Sequence, residues 1–410
     1  MLSSQVFTSY IINKKCGTEA LGTYALVLAI AQIVVQGFSA PFSSLIRRDL
    51  AIGNVNVREF IKNILTLRLG NIFIVILSLF LIEPVLSYQL LQIRSFLILM
   101  FLIKGIEMMN DTYFVTYQAL SKYKLYALLK IGNATFVWIG LILLLYINPD
   151  VHYFYYIPIF IGSIFLVINF FLFKLNTNYS KSSIQNHSIK GPSQIKTLLK
   201  ETWPIMINSL AYQASAKLNA IVLFNFIGSK AVGVFSVFLM FSNIFAGLGN
   251  PIGIVFIGKY SIFIEKSAEK FEAYFRKTII AFLGIGILLC TTFIIFIPNI
   301  LYYYKFDIPN LKLISLIIAL SIPFAFATGC IGNIFVVLRK QLLGMYISFV
   351  MLFLNLLFFT FFVNFWGLNG ATFAYLLCTF LQLLLIVILA FMVNKKLINS
   401  DSNRLNSGHT

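Results

Sequence analysis

Residues 198–236 read LLKETWPIMINSLAYQASAKLNAIVLFNFIGSKAVGVFS. After Lys200 and Glu201 the stretch runs nearly uncharged for long enough to cross a bilayer, since a helix needs about 20 apolar residues to span the ~30 Å hydrocarbon core. Lys217 is the exception, well inside the run. Asn208, Tyr212, Ser215 and Asn219 recur at helical spacing and form one polar stripe, with Gln213 and Lys217 roughly opposite. Gly228 closes the run, and a second apolar run follows at once. Upstream, segment 174–197 is polar and rich in Ser, Asn and Lys. A polar link, a span carrying a few polar groups, a glycine and another span describe a helical integral membrane protein.

The rest of the chain repeats this pattern. Of 410 residues, 60% are hydrophobic and only 11% charged, with a mean hydropathy of +0.91. This is more apolar material than one or two water-soluble cores need, so a soluble enzyme is excluded. Apolar runs fall at 1–12, 20–46, 63–82, 94–120, 125–147, 152–173, 198–226, 231–258, 278–298, 311–337, 342–366 and 368–393. Twelve spans leave no room for a soluble domain. The first is short for a bilayer and lacks the basic start and small-residue cleavage site of a signal peptide, so it reads as a partial first helix.

The net charge of +18 would suggest nucleic acid in a soluble chain. Here it is a test of topology, because cytoplasmic loops collect Lys and Arg. With the N-terminus inside, 22 of the 31 basic residues fall on the inner side and 6 on the outer, while Arg68, Lys104 and Lys217 lie within spans. That asymmetry supports twelve spans with both termini cytoplasmic, a membrane partner and no nucleic acid. Segment 259–277, with Glu265, Lys266, Glu269, Lys270, Glu272 and Arg276, is expected as a helix lying at the cytoplasmic interface, or else as a plain solvated helix. Cys290, Cys330 and Cys378 are isolated within apolar runs, and His152, His187 and His409 fall in loops or the tail. Neither a disulfide framework nor a metal site is expected, and no cofactor.

GTEALGTY (17–24) recurs as GSKAVGVF (228–235): Gly17, Ala20, Gly22 and Tyr24 meet Gly228, Ala231, Gly233 and Phe235 at a constant offset of 211. Leu120, Lys122 and Leu125 match Leu338, Lys340 and Leu343 at an offset of 218. An even number of spans per half makes the repeat parallel, about an axis along the membrane normal. The expected architecture is therefore an all-α integral membrane protein: about twelve transmembrane helices in two six-helix bundles around a central cavity. The bundles are 1–174 and 198–394, with a cytoplasmic linker at 175–197 and a cytoplasmic tail at 395–410.

The sequence resembles the polysaccharide repeat-unit flippases, which handle O-antigen and capsule units and share a superfamily with the multidrug-and-toxin exporters. The residues that carry the likeness are GTEALGTY, YQALSKYKLYALLKIGNA (117–134), the opening stretch 198–236, and GLNGATFAY (367–375). Their order and spacing, rather than any one of them, make the case across essentially the whole chain. The resemblance implies alternating-access transport of an undecaprenyl-diphosphate-linked oligosaccharide across the bacterial inner membrane, with no chemical catalysis. It also implies a polysaccharide polymerase as a partner. Two features depart from the family: the short first span, and Asn219 where many relatives carry an acidic residue.

Such a substrate needs a polar path, because sugar hydroxyls left unpaired in hydrocarbon cost several kcal/mol each, and its pyrophosphate needs cations. Lys104, Glu107, Asp111 and Gln118 share one face of the fourth span. Lys104 is the candidate for the pyrophosphate, with Glu107 or Asp111 as the carboxylate for a coupling proton or sodium ion. The competing interpretation is that Lys104 and Glu107 only neutralise each other one turn apart. Lys217 and Arg68 are further cavity cations, unless they snorkel to the interfaces. Gln118, Asn208, Tyr212 and Asn219 are candidate polar lining, or else glue between helices. Pro251, within Asn243–Gly253, and Pro323, near Thr328, Gly329 and Gly332, are candidate hinges, or else sites of close helix packing. The 16% aromatic content is mostly lipid-facing Phe and interfacial Tyr.

Three other functions compete. A multidrug or small-solute antiporter shares the fold and differs in ligand. A membrane polysaccharide polymerase would have a long outer loop, which is missing. A major-facilitator transporter would carry Gly-x-x-x-Asp-x-x-Gly-Arg-Arg after the second span, where this chain has IRRDLAIGNVNVREF (46–60).

Overall fold

The computed structural model describes residues 2–37, 42–43, 45–47, 50, 56–82, 93–144, 152–179, 195–266, 268–306, 308–332, 334–338 and 340–407. Every regular element among them is helical. Hydrocarbon offers the backbone no partners, so a chain this apolar closes its hydrogen bonds within each segment.

Helix α1 (Leu2–Ala31) is broken at Gly17 and passes into a π-helical turn, Gln32–Gln36. Then follow α2 (Val57–Ile82), α3 (Arg94–Ala119), α4 (Tyr123–Leu143), α5 (Tyr153–Tyr179) and α6 (Ile195–Phe226). The second half has α7 (Ser229–Gly247), α8 (Gly249–Lys266), α9 (Ala268–Tyr304), α10 (Leu311–Ile331), a single turn at Ile334–Val337, and α11 (Gln341–Ser407), which breaks at Gly367.

Eight stretches of the described residues are long and apolar enough to cross a membrane. Two of these, Gln5–Val35 and Leu342–Lys395, contain the breaks at Gly17 and Gly367 and so each divide into two helical segments, the first of them short for a bilayer. The remaining two crossings are α3 and α6, the helices with the intramembrane charge and polar stripe. Among the described residues that makes twelve helical segments, matching the twelve apolar runs. Phe73, Leu128, Phe160, Leu288 and Ile295 are exposed along these helices, which water would penalise and lipid does not.

Both copies of the 211-residue repeat start with the same backbone. Gly17 has φ 87 and ψ 172, and Gly228 has φ 105 and ψ 180, a region essentially reserved for glycine. The 218-residue repeat matches too. The Lys122 N–H donates to the Tyr117 carbonyl at 2.8 Å, and the Lys340 N–H to the Phe335 carbonyl at 2.8 Å, the six-to-one bond of a helix C-cap.

The chain divides into two compact units, residues 3–221 and 222–410, apart from the first two residues. The division falls within α6, whereas the polar linker expected at 175–197 lies mostly outside the described residues. In the first unit α3 is central, packed on α2, α4, α5 and the π-helical turn. Phe42, Phe60, Tyr113, Phe114 and Tyr117 fill part of its interior. In the second unit α10 is central and contacts α7, α8, α9 and α11.

Segment 259–277 is not a separate interfacial helix. It consists of the end of α8 and the start of α9, which meet between Lys266 and Ala268. At 1.5 Å per residue the 37 residues of α9 reach about 55 Å, well beyond the hydrocarbon core. The reason is apolar: Tyr260, Phe271 and Phe275 are buried together with Phe326 and Leu338, so the charged residues ride on helices pinned by an aromatic core. The Tyr260 and Thr278 hydroxyls meet inside it at 2.9 Å.

Candidate functional site

All the acidic and basic residues well inside the membrane crossings are in the first unit. From 231 to 393 the charged residues are those of segment 259–277, at the α8–α9 junction, and Lys305, Asp307, Lys312, Arg339 and Lys340, which stand at or between the ends of apolar runs. Lys217 belongs to the first unit as well, because the division of α6 comes four residues later.

On α3 the Lys104 Nζ lies 2.6 Å from Glu107 Oε2, one turn away. The lysine side chain is 7% exposed and the glutamate 39%, so the ammonium is buried and the carboxylate forms the open end of the pair. Lys217, half-buried on α6, is close enough for its charge to repel that of Lys104, and no hydrogen bond or ion pair of its own is seen among the described residues. Tyr24, in the first copy of the repeat, lies within electrostatic reach of Glu107. The contact of Lys104 with Glu107 is the one the competing interpretation took from their spacing; the approach of Lys217 and Tyr24 was not expected from it.

Asp111 belongs to a second cluster, one turn further along α3. Its Oδ2 accepts a hydrogen bond from the Ser43 hydroxyl at 3.0 Å, and that same oxygen of Ser43 accepts from Arg68 Nη2 at 3.0 Å. Arg68 Nη1 donates to Thr112 Oγ1 at 2.6 Å and to the Met108 carbonyl, with the guanidinium over the Phe42 ring. Arg68 is 0% exposed. It is therefore no snorkelling anchor: all of these bonds run inward, and they join α2 to α3 and to Ser43. Ser43 was not singled out from sequence, and one serine among Ser39, Ser43 and Ser44 carries no signal that would single it out.

The polar lining candidates separate. Gln118 is half-buried at the end of α3, Tyr212 is exposed, and Asn219 is 6% exposed with its Oδ1 accepting the Ala220 N–H at 2.8 Å. Asn208 Oδ1 is buried and finds no partner among the described residues. A different polar set joins α3 to α5: Asn110 Nδ2 donates to the Gly162 carbonyl at 2.9 Å, and Asn169 Nδ2 to Asn110 Oδ1 at 2.8 Å. Such bonds hold helices together where burial of apolar surface cannot. Two asparagines in the middle of apolar runs were the available sign.

At the hinge candidates the two halves of the expectation meet. The α7–α8 helix is interrupted at Leu248, and Pro251 sits in the first turn of α8, where its missing N–H costs no bond. A Cβ at Gly249 would lie 2.5 Å from the Phe326 carbonyl oxygen, and one at Gly253 2.6 Å from that of Cys330, so these glycines also admit the α10 backbone. Pro323 lies inside the uninterrupted α10, against Gly286 of α9. Among the described residues no group of His, Cys, Asp and Glu could hold a metal ion.

Solved structures share this arrangement over nearly the whole chain. The lipid II flippase MurJ in an inward closed conformation aligns with a TM-score of 0.72 at 13% identity, covering 97% of this chain and 88% of MurJ. An inward-facing multidrug resistance MATE family transporter of the MOP superfamily gives 0.68 at 14%, covering 98% and 95%. The chain shares its fold with these two transporters. The MATE multidrug transporter DinF-BH gives 0.64 at 15%, covering 96% and 92%. No protein-family model matches the chain, and no curated protein matches it by sequence. The chain is a multi-pass membrane protein with a fold found in both lipid flippases and drug transporters.

Proposed function

We propose that the protein is a flippase that carries an undecaprenyl-diphosphate-linked oligosaccharide, an O-antigen or capsule unit, from the inner to the outer leaflet of the bacterial cytoplasmic membrane. The observation that supports this reading is the pair of cations Lys104 on α3 and Lys217 on α6, close enough for their charges to repel, with Lys104 buried against Glu107. Buried charge is expensive and is retained where an ion has to be met. Arg68 and Asp111 are engaged in one buried cluster through Ser43, which leaves two cations, Lys104 and Lys217, against one carboxylate, Glu107, and that excess suits a diphosphate. Half-buried and exposed polar groups such as Gln118 and Tyr212 suit a sugar, whose hydroxyls need partners along the path.

The two compact units, 3–221 and 222–410, serve as the moving bodies of an alternating-access cycle, with both termini cytoplasmic. Glu107 or Asp111 is the carboxylate for a coupling proton or sodium ion. Pro251, beside the interruption at Leu248, and Pro323, inside α10, are the hinges of this cycle, and a polysaccharide polymerase takes the delivered unit. A multidrug antiporter is the second reading, favoured by the likeness to MATE transporters. The excess of positive charge disfavours organic cations as its cargo.

The test is to delete the gene in its host and follow the lipid-linked unit with a probe confined to the outer leaflet. The expected outcome is inner-leaflet accumulation that the wild-type gene reverses. Lys104→Ala should fail to reverse it while leaving normal amounts of folded protein in the membrane. Normal outer-leaflet units without polymer would indicate a polymerase, and no glycan defect an exporter of other solutes.

A further inference from the structure

The role of Glu107 can be taken further if the cargo is the diphosphate-linked lipid proposed above. Lys104 is buried and Glu107 half-open, and their contact of 2.6 Å spans one turn of the same helix. The carboxylate is thus the more open member of the pair and the ammonium the buried one. Lys217 adds a second positive charge that repels Lys104, and Asp111 is engaged one turn away with Ser43. Glu107 is therefore the anion that Lys104 holds in this structure.

We propose that Glu107 is a resident counter-ion that the diphosphate displaces from Lys104 on binding and that retakes Lys104 on release. A buried ammonium stripped of its partner is costly, so without a replacement anion the cargo could leave only slowly. Glu107 weakens binding in order to permit turnover. This predicts opposite effects of one substitution on affinity and on rate, which a merely structural pair would not give. Glu107→Gln keeps the size and a hydrogen-bonding oxygen but removes the charge that competes.

Purified full-length protein in nanodiscs would be titrated with farnesyl diphosphate as a diphosphate-bearing lipid, with farnesyl monophosphate as the control. Glu107→Gln should bind the diphosphate about tenfold more tightly than wild type, while the host strain carrying it exports surface glycan more slowly. Lys217→Gln should bind it more weakly, and its folding is checked by the same thermal melt as wild type. Wild-type binding of the diphosphate with unchanged or weaker binding by Glu107→Gln would overturn the counter-ion role and leave the flippase reading standing. Failure of the wild type itself to prefer the diphosphate over the monophosphate would overturn both.

Discussion

Arg68 and Asp111 are the residues whose environment differs most from what their positions in sequence suggest. A basic residue one or two turns inside a span can extend to the interface or turn inward, and the choice depends on a neighbouring helix that periodicity does not identify. Here Ser43, Met108 and Thr112 supply the partners, and the side chain turns inward. Breaking a buried charged network by removing one partner costs about 3–5 kcal/mol. Arg68→Met should accordingly lower the thermal unfolding temperature of the detergent-purified protein, and adding Asp111→Asn should restore part of the loss, because it removes the charge left behind. An Arg68→Met protein that melts with wild type would mean the network contributes no stability. Lys104 and Glu107 were easier to read, since both partners lie on one helix and a spacing of three determines their contact.

At the scale of elements, the glycines do what the repeat implies. Gly17 and Gly228, 211 residues apart, adopt nearly the same positive φ at the starts of equivalent crossings. A Cβ at either would meet open space, so the demand comes from the backbone conformation and not from crowding. Alanine at each position should cost about 1–3 kcal/mol, read as a drop in melting temperature, and the two losses should add because the sites lie in different units. Gly253 presents the opposite case, with ordinary backbone and a neighbouring carbonyl in the way. Gly253→Val should destabilise by pushing α8 from α10, and loss of stability there would separate packing from hinge motion if transport of the remaining folded protein is unchanged. The extension of α8 and α9 past the membrane was not legible as such. Charges every few residues look like a surface helix, and the buried partners Phe326 and Leu338 lie more than 50 residues away in the chain.

For the whole molecule, orientation rests on the distribution of Lys and Arg, and it can be checked directly. With the four native cysteines replaced by serine, Lys270→Cys should be labelled by a membrane-impermeant maleimide only in inverted vesicles, and Lys305→Cys only in intact cells with a permeabilised outer envelope. The reverse pattern would invert the topology and with it the direction of transport. The amino-acid sequence alone determined the solvent, the helical class, the twelve crossings, the parallel repeat and the face of α3 that bears charge. These are properties of composition and of spacing within a segment, where hydrocarbon allows only one backbone solution. Only the tertiary structure decided that Lys217, on the first helix after the polar linker, groups with the charges of the first unit. It also decided that Asp111 is held by Ser43 beside a buried Arg68, and that α9 runs on beyond the bilayer. Each of these depends on which helix lies beside which, and helical periodicity says which residues share a face but not what that face meets.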